Sequence, residues 1–80
     1  MILTDGLHLI TDDGLDELHR FARRIGLRRS WFQDHPRHPH YDMLSPRVRG
    51  RALMNGAQVV PTKKIIEIFR RADARTEVLP

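Results

Sequence analysis

Three short strand-like runs, Leu7-His8-Leu9-Ile10, Ser30-Trp31-Phe32-Gln33 and Ala57-Gln58-Val59-Val60, alternate along the chain with three segments of helical period. That alternation constrains the fold more than any other feature. Strands that take turns with helices build a sheet covered by helices, and right-handed crossovers then favour parallel neighbours. The expectation is a small α/β domain of two or three layers, with about three short, mostly parallel strands and three helices. The opening Ile2-Leu3 reads either as an extra edge strand or as a frayed end.

The first helix is the most sharply defined. Asp12 or Asp13 stands where an N-cap belongs, and Asp16 and Glu17 suit the positive first turn. Leu15, Leu18, Ala22 and Ile25 follow the helical period with Phe21 beside them, and Gly26 occupies the position of a left-handed C-cap. Ser45-Pro46 reads as N-cap and first position of a second helix carrying Val48, Ala52 and Leu53, closed by Asn55-Gly56. Pro61-Thr62 opens a third helix with Ile65, Ile66, Ile68 and Phe69. Eighty residues hold one core, expected over 1–73, with 74–80 as a flexible tail.

The chain has no Cys, which rules out a disulfide framework and any thiolate metal site. No apolar run approaches the roughly 18 residues of a membrane span, and Met1 to Gly6 lacks the pattern of a secretory leader. A soluble cytoplasmic protein is expected, and so small a core suits a homodimer or higher homo-oligomer. Charge is unevenly spread: residues 1–19 carry five acids and no Lys or Arg, whereas residues 20–51 carry nine Arg. A basic middle suits an anionic partner, nucleotide or nucleic acid, against the plainer reading of a solvated surface.

The stretch Ser30 to Ser45 concentrates the reactive side chains. It holds the only Trp, the only Tyr and three of the five His. Trp31 and Phe32 read as aromatic anchors in or near the core. Pro36 and Pro39 stiffen the loop behind them, where Gln33, Asp34, His35, His38, His40, Tyr41 and Asp42 offer groups that bond, ionise or ligate. In a parallel sheet, ligands lie beyond the carboxyl ends of the strands. That rule sets Asp12, the loop after Gln33, and Pro61-Thr62 on one edge.

The run His8-Leu9-Ile10, then Leu15-Asp16-Glu17-Leu18-His19 with Phe21-Ala22 and Ile25-Gly26, resembles the small bacterial and phage proteins catalogued as domain of unknown function 4031. The resemblance continues through Trp31-Phe32-Gln33, His40-Tyr41-Asp42, Arg51-Ala52, Gly56-Ala57 and Val59, and spans roughly residues 8–60. No single piece is specific; the ordered combination is. Such proteins often open with a further strand bearing paired Asp, where this chain has only Met1 to Gly6, and the insert from Asp34 to Pro39 varies in length. The family name implies no activity.

Two chemistries fit these residues, the first as the expected function and the second as its alternative. In the first, a binding protein holds a phosphate-bearing ligand, small molecule or nucleic acid, with His40, Tyr41 and Asp42 and with His8, His19, Gln33 and Arg51 as companions. His40 and Arg51 would meet the anion, Tyr41 would bond or stack, and Asp42 would orient His40 or bond a sugar hydroxyl. In the second, His8, His40 and Asp42 hold a divalent metal ion, and a phosphodiesterase or nuclease is built on the same residues with His40 and Asp42 as catalytic candidates. Neither a Gly-rich phosphate loop nor a strong zinc signature is present. His35 and His38 fit a solvated loop better than a ligand set.

Overall fold

The computed structural model describes the backbone of residues 1–78 and the side chains of residues 1–71. Strands β1 (Ile2–Thr4) and β2 (His8–Thr11) precede helix α1 (Leu15–Arg24). After a single 3-10 turn over Arg29–Trp31 come β3 (Tyr41–Asp42), α2 (Pro46–Met54), β4 (Gln58–Val59) and α3 (Thr62–Val78). The flexible tail expected over 74–80 lies outside the residues whose side chains are described. No described helix is long and apolar enough to cross a membrane.

The α/β class holds, and the pairing within the sheet differs from the expectation. The sheet has four strands in the order β3-β2-β1-β4, and it is mixed. Ile2-Leu3 is neither an edge strand nor frayed: β1 is an interior strand, antiparallel to β2 and parallel to β4. The cause is the short connection Asp5-Gly6-Leu7, which can join only antiparallel neighbours. Gly6 sits at φ +104°, a left-handed conformation that glycine adopts without steric cost, and this lets the hairpin close.

The second strand also lies elsewhere. Ser30-Trp31 belongs to the 3-10 turn, and Gln33 makes only an isolated antiparallel bridge to His40. That bridge turns the chain back, so the strand beside β2 is Tyr41–Asp42, running antiparallel to it. Among the described residues, the sole parallel pair is therefore β1 with β4.

Side chains alternate between the two faces of a strand, and each face has its own cover. Ile2, Leu9 and Tyr41 pack with Leu18, Phe21 and Ala22 of α1, with Ile25 just after it, and with Ala52 of α2. Leu3 and Ile10 face the other way and pack with Ile65, Ile68 and Phe69 of α3. The result is three layers, with α1 and α2 on one side and α3 on the other.

The helix ends follow their local chemistry. Gly14, not Asp12 or Asp13, is the N-cap of α1, and its first turn has no side-chain cap bond. Asp12 is instead drawn to the first strand, its amide donating to the Met1 carbonyl at 3.3 Å. At the other end Gly26 has φ +94°, and the Leu27 amide reaches the Ala22 carbonyl at 2.9 Å, as a left-handed C-terminal motif requires. Ser45 caps α2 by accepting from the Arg47 amide at 3.2 Å, with Pro46 in the first turn.

Candidate metal centre

Strand register assembles the site. His8 and Asp42 are direct partners across the β2–β3 ladder, so their side chains emerge on the same face. His40 lies two residues before Asp42 and shares that face. It is held there by the Gln33–His40 bridge, whose amide-to-carbonyl distances are 2.8 and 3.3 Å. The His8 and His40 rings meet edge to face with centroids 5.4 Å apart, and His40 Nε2 lies 3.3 Å from Asp42 Oδ1. One ligating atom from each of His8, His40 and Asp42 falls within 4.8 Å of the other two. All three residues are half-buried, at the end of the sheet where α3 begins.

A carboxylate behind this trio orients it. Asp5 Oδ1 accepts from the amides of Leu7 and His8 at 3.1 and 2.9 Å. Asp5 Oδ2 accepts from His8 Nδ1 and from the Thr62 hydroxyl, both at 2.9 Å. Its side chain is only 6% exposed. Burial alone would raise the Asp5 carboxyl; the bonds from the His8 ring, the His8 and Leu7 amides and Thr62 outweigh it and hold the carboxyl well below the usual carboxylate range. The charged carboxylate can only accept, so Nδ1 of His8 carries a proton, and in the neutral ring the Nε2 lone pair is left for a ligand. A carboxylate–His pair of this kind is the usual outer support of a metal-ligating His.

His40 is fixed in the same sense. Its Nδ1 bonds the His38 carbonyl, an acceptor, so Nδ1 carries the proton. A neutral His40 therefore faces Asp42 Oδ1 with its Nε2 lone pair at 3.3 Å. Two lone pairs at that distance repel unless the ring takes a second proton or a cation sits where both can reach it. Two imidazole nitrogens and one carboxylate oxygen suit borderline divalent ions such as zinc, manganese, iron or nickel. Three protein donors leave further coordination positions open.

The other candidate residues are distributed around this centre. Tyr41, only 1% exposed, points to the α1 face, where its hydroxyl and His19 Nδ1 share a hydrogen bond of 2.9 Å. Burial pushes the Tyr41 phenol up, with Arg29 opposing, and it pushes the His19 imidazole down, with Arg29 adding to the effect. Gln33 contributes the backbone bridge to His40. Arg51 lies away from the trio, with Nη1 3.0 Å from where a Cβ on Gly26 would stand, so its cation meets the carbonyl end of α1. His35 and His38 stack on one another at 4.8 Å, and His38 meets Phe69 edge-on at 5.0 Å.

Two placements depart from the expectations. Trp31 is no core anchor: the 3-10 turn leaves it 50% exposed, with the Arg28 guanidinium 5.6 Å from its ring centre. Asp12 lies at the opposite sheet edge, because antiparallel β2 carries its carboxyl end away from those of β1, β3 and β4. Asp5 takes the place Asp12 was expected to fill, and Thr62 is beside it as expected. The signal for Asp5 was present in Asp5-Gly6-Leu7-His8, since an Asp that opens a turn bonds amides two and three residues on.

Two clefts flank the β3 side of the domain. One, of about 530 Å³, is lined by Leu27, Trp31, Gln33, Asp42, Leu44 and Val48 among others, within the range of small-ligand pockets. The second, of about 480 Å³, lies on the α1 face among His19, Arg20, Arg23, Arg28, Arg29 and Tyr41. A search of curated proteins and of solved structures found no match to the chain. A family model described as a protein of unknown function (DUF4031) matches residues 5–72. With that match covering well over half of its length, the chain belongs to the DUF4031 family.

Proposed function

We propose that this domain binds one divalent metal ion through His8, His40 and Asp42 and uses it on a phosphate-bearing ligand, as a metal-dependent phosphodiesterase or nuclease. The observation that carries the reading is the opposed pair His40 Nε2 and Asp42 Oδ1, 3.3 Å apart, with His8 presented beside it by Asp5. With the His40 ring neutral, a cation within reach of both atoms turns the pair into a ligand set. A divalent ion with open positions polarises a phosphoryl oxygen and lowers the pKa of bound water into the neutral range. Within the chain, His8 and His40 supply neutral donors, Asp42 supplies charge, and Asp5 with Thr62 keeps His8 in the required tautomer. The simpler alternative is a cytoplasmic binding protein that holds the same phosphate ligand without cleaving it.

Isothermal titration of metal-stripped protein with MnCl2 and with ZnCl2 tests the centre, and hydrolysis of bis(4-nitrophenyl) phosphate tests the reaction. The expected result is one ion per chain and metal-dependent hydrolysis that chelator abolishes. His40→Ala and Asp42→Ala should each weaken the ion by more than the 10–100-fold typical of an outer partner. Ion binding unchanged in both variants would contradict the site. Tight ion binding with the phosphodiester left intact would retain the centre and replace the hydrolase with the binding protein.

A further inference from the structure

The metal-centred reading leaves unexplained the concentration of arginine on the other side of β3. Arg20, Arg23, Arg28 and Arg29 line one cleft with His19 and Tyr41. Among the described residues none of these four guanidinium groups has a carboxylate within 4.0 Å; the described ion pairs involve other groups. Unpaired cations gathered in a concave site are the electrostatic footprint of a polyanion. Two of them are steadied by aromatic faces: Arg28 lies 5.6 Å from the Trp31 ring centre and Arg29 lies 5.0 Å from that of Phe32.

The second cleft continues the path. Leu27 lines both clefts, and the other one is lined by Trp31, Gln33 and Asp42 as well. Asp42 is also a member of the metal-ligating trio. A half-exposed indole beside an amide side chain offers a base a stacking face and a hydrogen-bonding partner. The adjoining clefts thus present four cations, an aromatic face and one member of the metal-ligating trio.

We infer that the ligand is a single-stranded nucleic acid that lays its phosphates along Arg20, Arg23, Arg28 and Arg29, stacks a base on Trp31 and presents the next phosphodiester to the metal centre. This rests on the reading of His8, His40 and Asp42 as that centre. Four cations in one cleft and an indole in the next offer more phosphate contacts than a nucleoside monophosphate carries. A duplex keeps its bases stacked inside and offers none to Trp31, whereas a single strand carries an exposed face at every base. RNA and DNA share this chemistry, and the experiment separates them.

The test is fluorescence anisotropy of the full chain with labelled oligothymidylate and oligouridylate of about 12 nucleotides, within the site sizes of single-strand binders. It is run across a salt series in chelator, and MnCl2 titration of each variant runs beside it. Wild type should bind at low salt and lose affinity with a log–log slope of about −3, since each phosphate contact contributes roughly −0.7 on single strands. Arg28→Ala with Arg29→Ala should reduce that slope by about 1.4. Trp31→Ala should weaken binding roughly 5- to 150-fold with the slope unchanged. All of these positions are exposed, so the variants keep the fold, and Mn binding should stay within twofold of wild type in each. The tighter of the two oligomers identifies the sugar.

A chain that binds neither oligomer at low salt would overturn the inference, as would variants that bind like wild type. Equal or tighter binding of the matching duplex would overturn the single-strand assignment. Oligomer binding that survives in a chain taking up no Mn would refute the metal centre and leave this surface standing, so the two failures are distinguishable.

Discussion

Replacing Asp5 by Asn separates the role of the carboxylate as a metal support from its role in folding. Asn Oδ1 can keep the bonds that Asp5 Oδ1 accepts from the Leu7 and His8 amides, at 3.1 and 2.9 Å. The Asn Nδ2 then stands where Oδ2 accepted from His8 Nδ1 and Thr62, both at 2.9 Å. A donor now faces a donor. The His8 ring relieves this by moving its proton to Nε2, which removes the lone pair that would hold the metal. Two charge-assisted bonds become neutral ones, a loss of about 1 kcal/mol each or somewhat more. In a domain this small, 1 kcal/mol shifts the melting temperature by roughly 4–8 °C, so the Asn variant should melt about 8–20 °C lower and remain folded at 25 °C. Its metal affinity should fall by about 10–100-fold, the usual consequence of losing an outer-shell partner. Thermal unfolding followed by circular dichroism reads the first quantity, and isothermal titration with MnCl2 reads the second. A folded Asn variant that binds Mn within twofold of wild type would refute the reasoning, because the tautomer of His8 would then be irrelevant to the site.

The other predictions concern pH, the tyrosine and the helix end. The Asp5 carboxyl is depressed from 3.8 in the fold, so its stabilisation is present above that value and is lost as pH falls below it through the folded-state value. Wild type should therefore lose stability more steeply below about pH 4 than the Asn variant, as acid titration of the melting temperature would show. The His19 imidazole is lowered from 6.5 in the fold, so the unfolded chain binds the extra proton first and stability drops as pH falls below 6.5. His19→Gln should flatten that limb between about pH 6.5 and 5. Tyr41→Phe removes the hydroxyl bonded to His19 and should cost about 1 kcal/mol while leaving Mn affinity within twofold; a large loss of affinity would place the hydroxyl at the metal. Gly26→Ala puts a side chain at φ +94° and 3.0 Å from Arg51 Nη1, and should cost about 1–2 kcal/mol by denaturant titration.

Local signals were readable in the chain and long-range pairing was not. The stripe through Leu18, Ala22 and Ile25, the glycine after it, and Ser45-Pro46 each depend on residues within a turn or two, and each appears where its chemistry predicts. The Ser30–Gln33 run failed as a strand because aromatic residues favour strands and exposed turns alike when a cation lies against one face of the ring, as Arg28 does at Trp31. Sheet direction failed because it hangs on the length of one hairpin loop: with Ile2-Leu3 read as an edge, Asp5-Gly6 was not seen to close a central hairpin. At the candidate site, His8, His40 and Asp42 were already together as metal candidates. The alternation that aligns His40 with Asp42 also turns Tyr41 to the opposite face, which a reading of His40-Tyr41-Asp42 as one loop obscured. Asp5 was missed because an Asp before Gly looks like turn chemistry alone. It is that, and its second oxygen reaches His8 and Thr62 as well.

The most direct test of the central claim is residue-resolved: long-range 1H–15N spectra of the five histidine rings during titration with substoichiometric MnCl2. The account predicts that the His8 and His40 ring signals broaden first and together, while those of His19, on the other face of the sheet, persist. It also predicts that before Mn is added both His8 and His40 show the Nδ1-protonated tautomer. Broadening led by His35 and His38, or uniform across all the rings, would contradict a centre built on His8, His40 and Asp42.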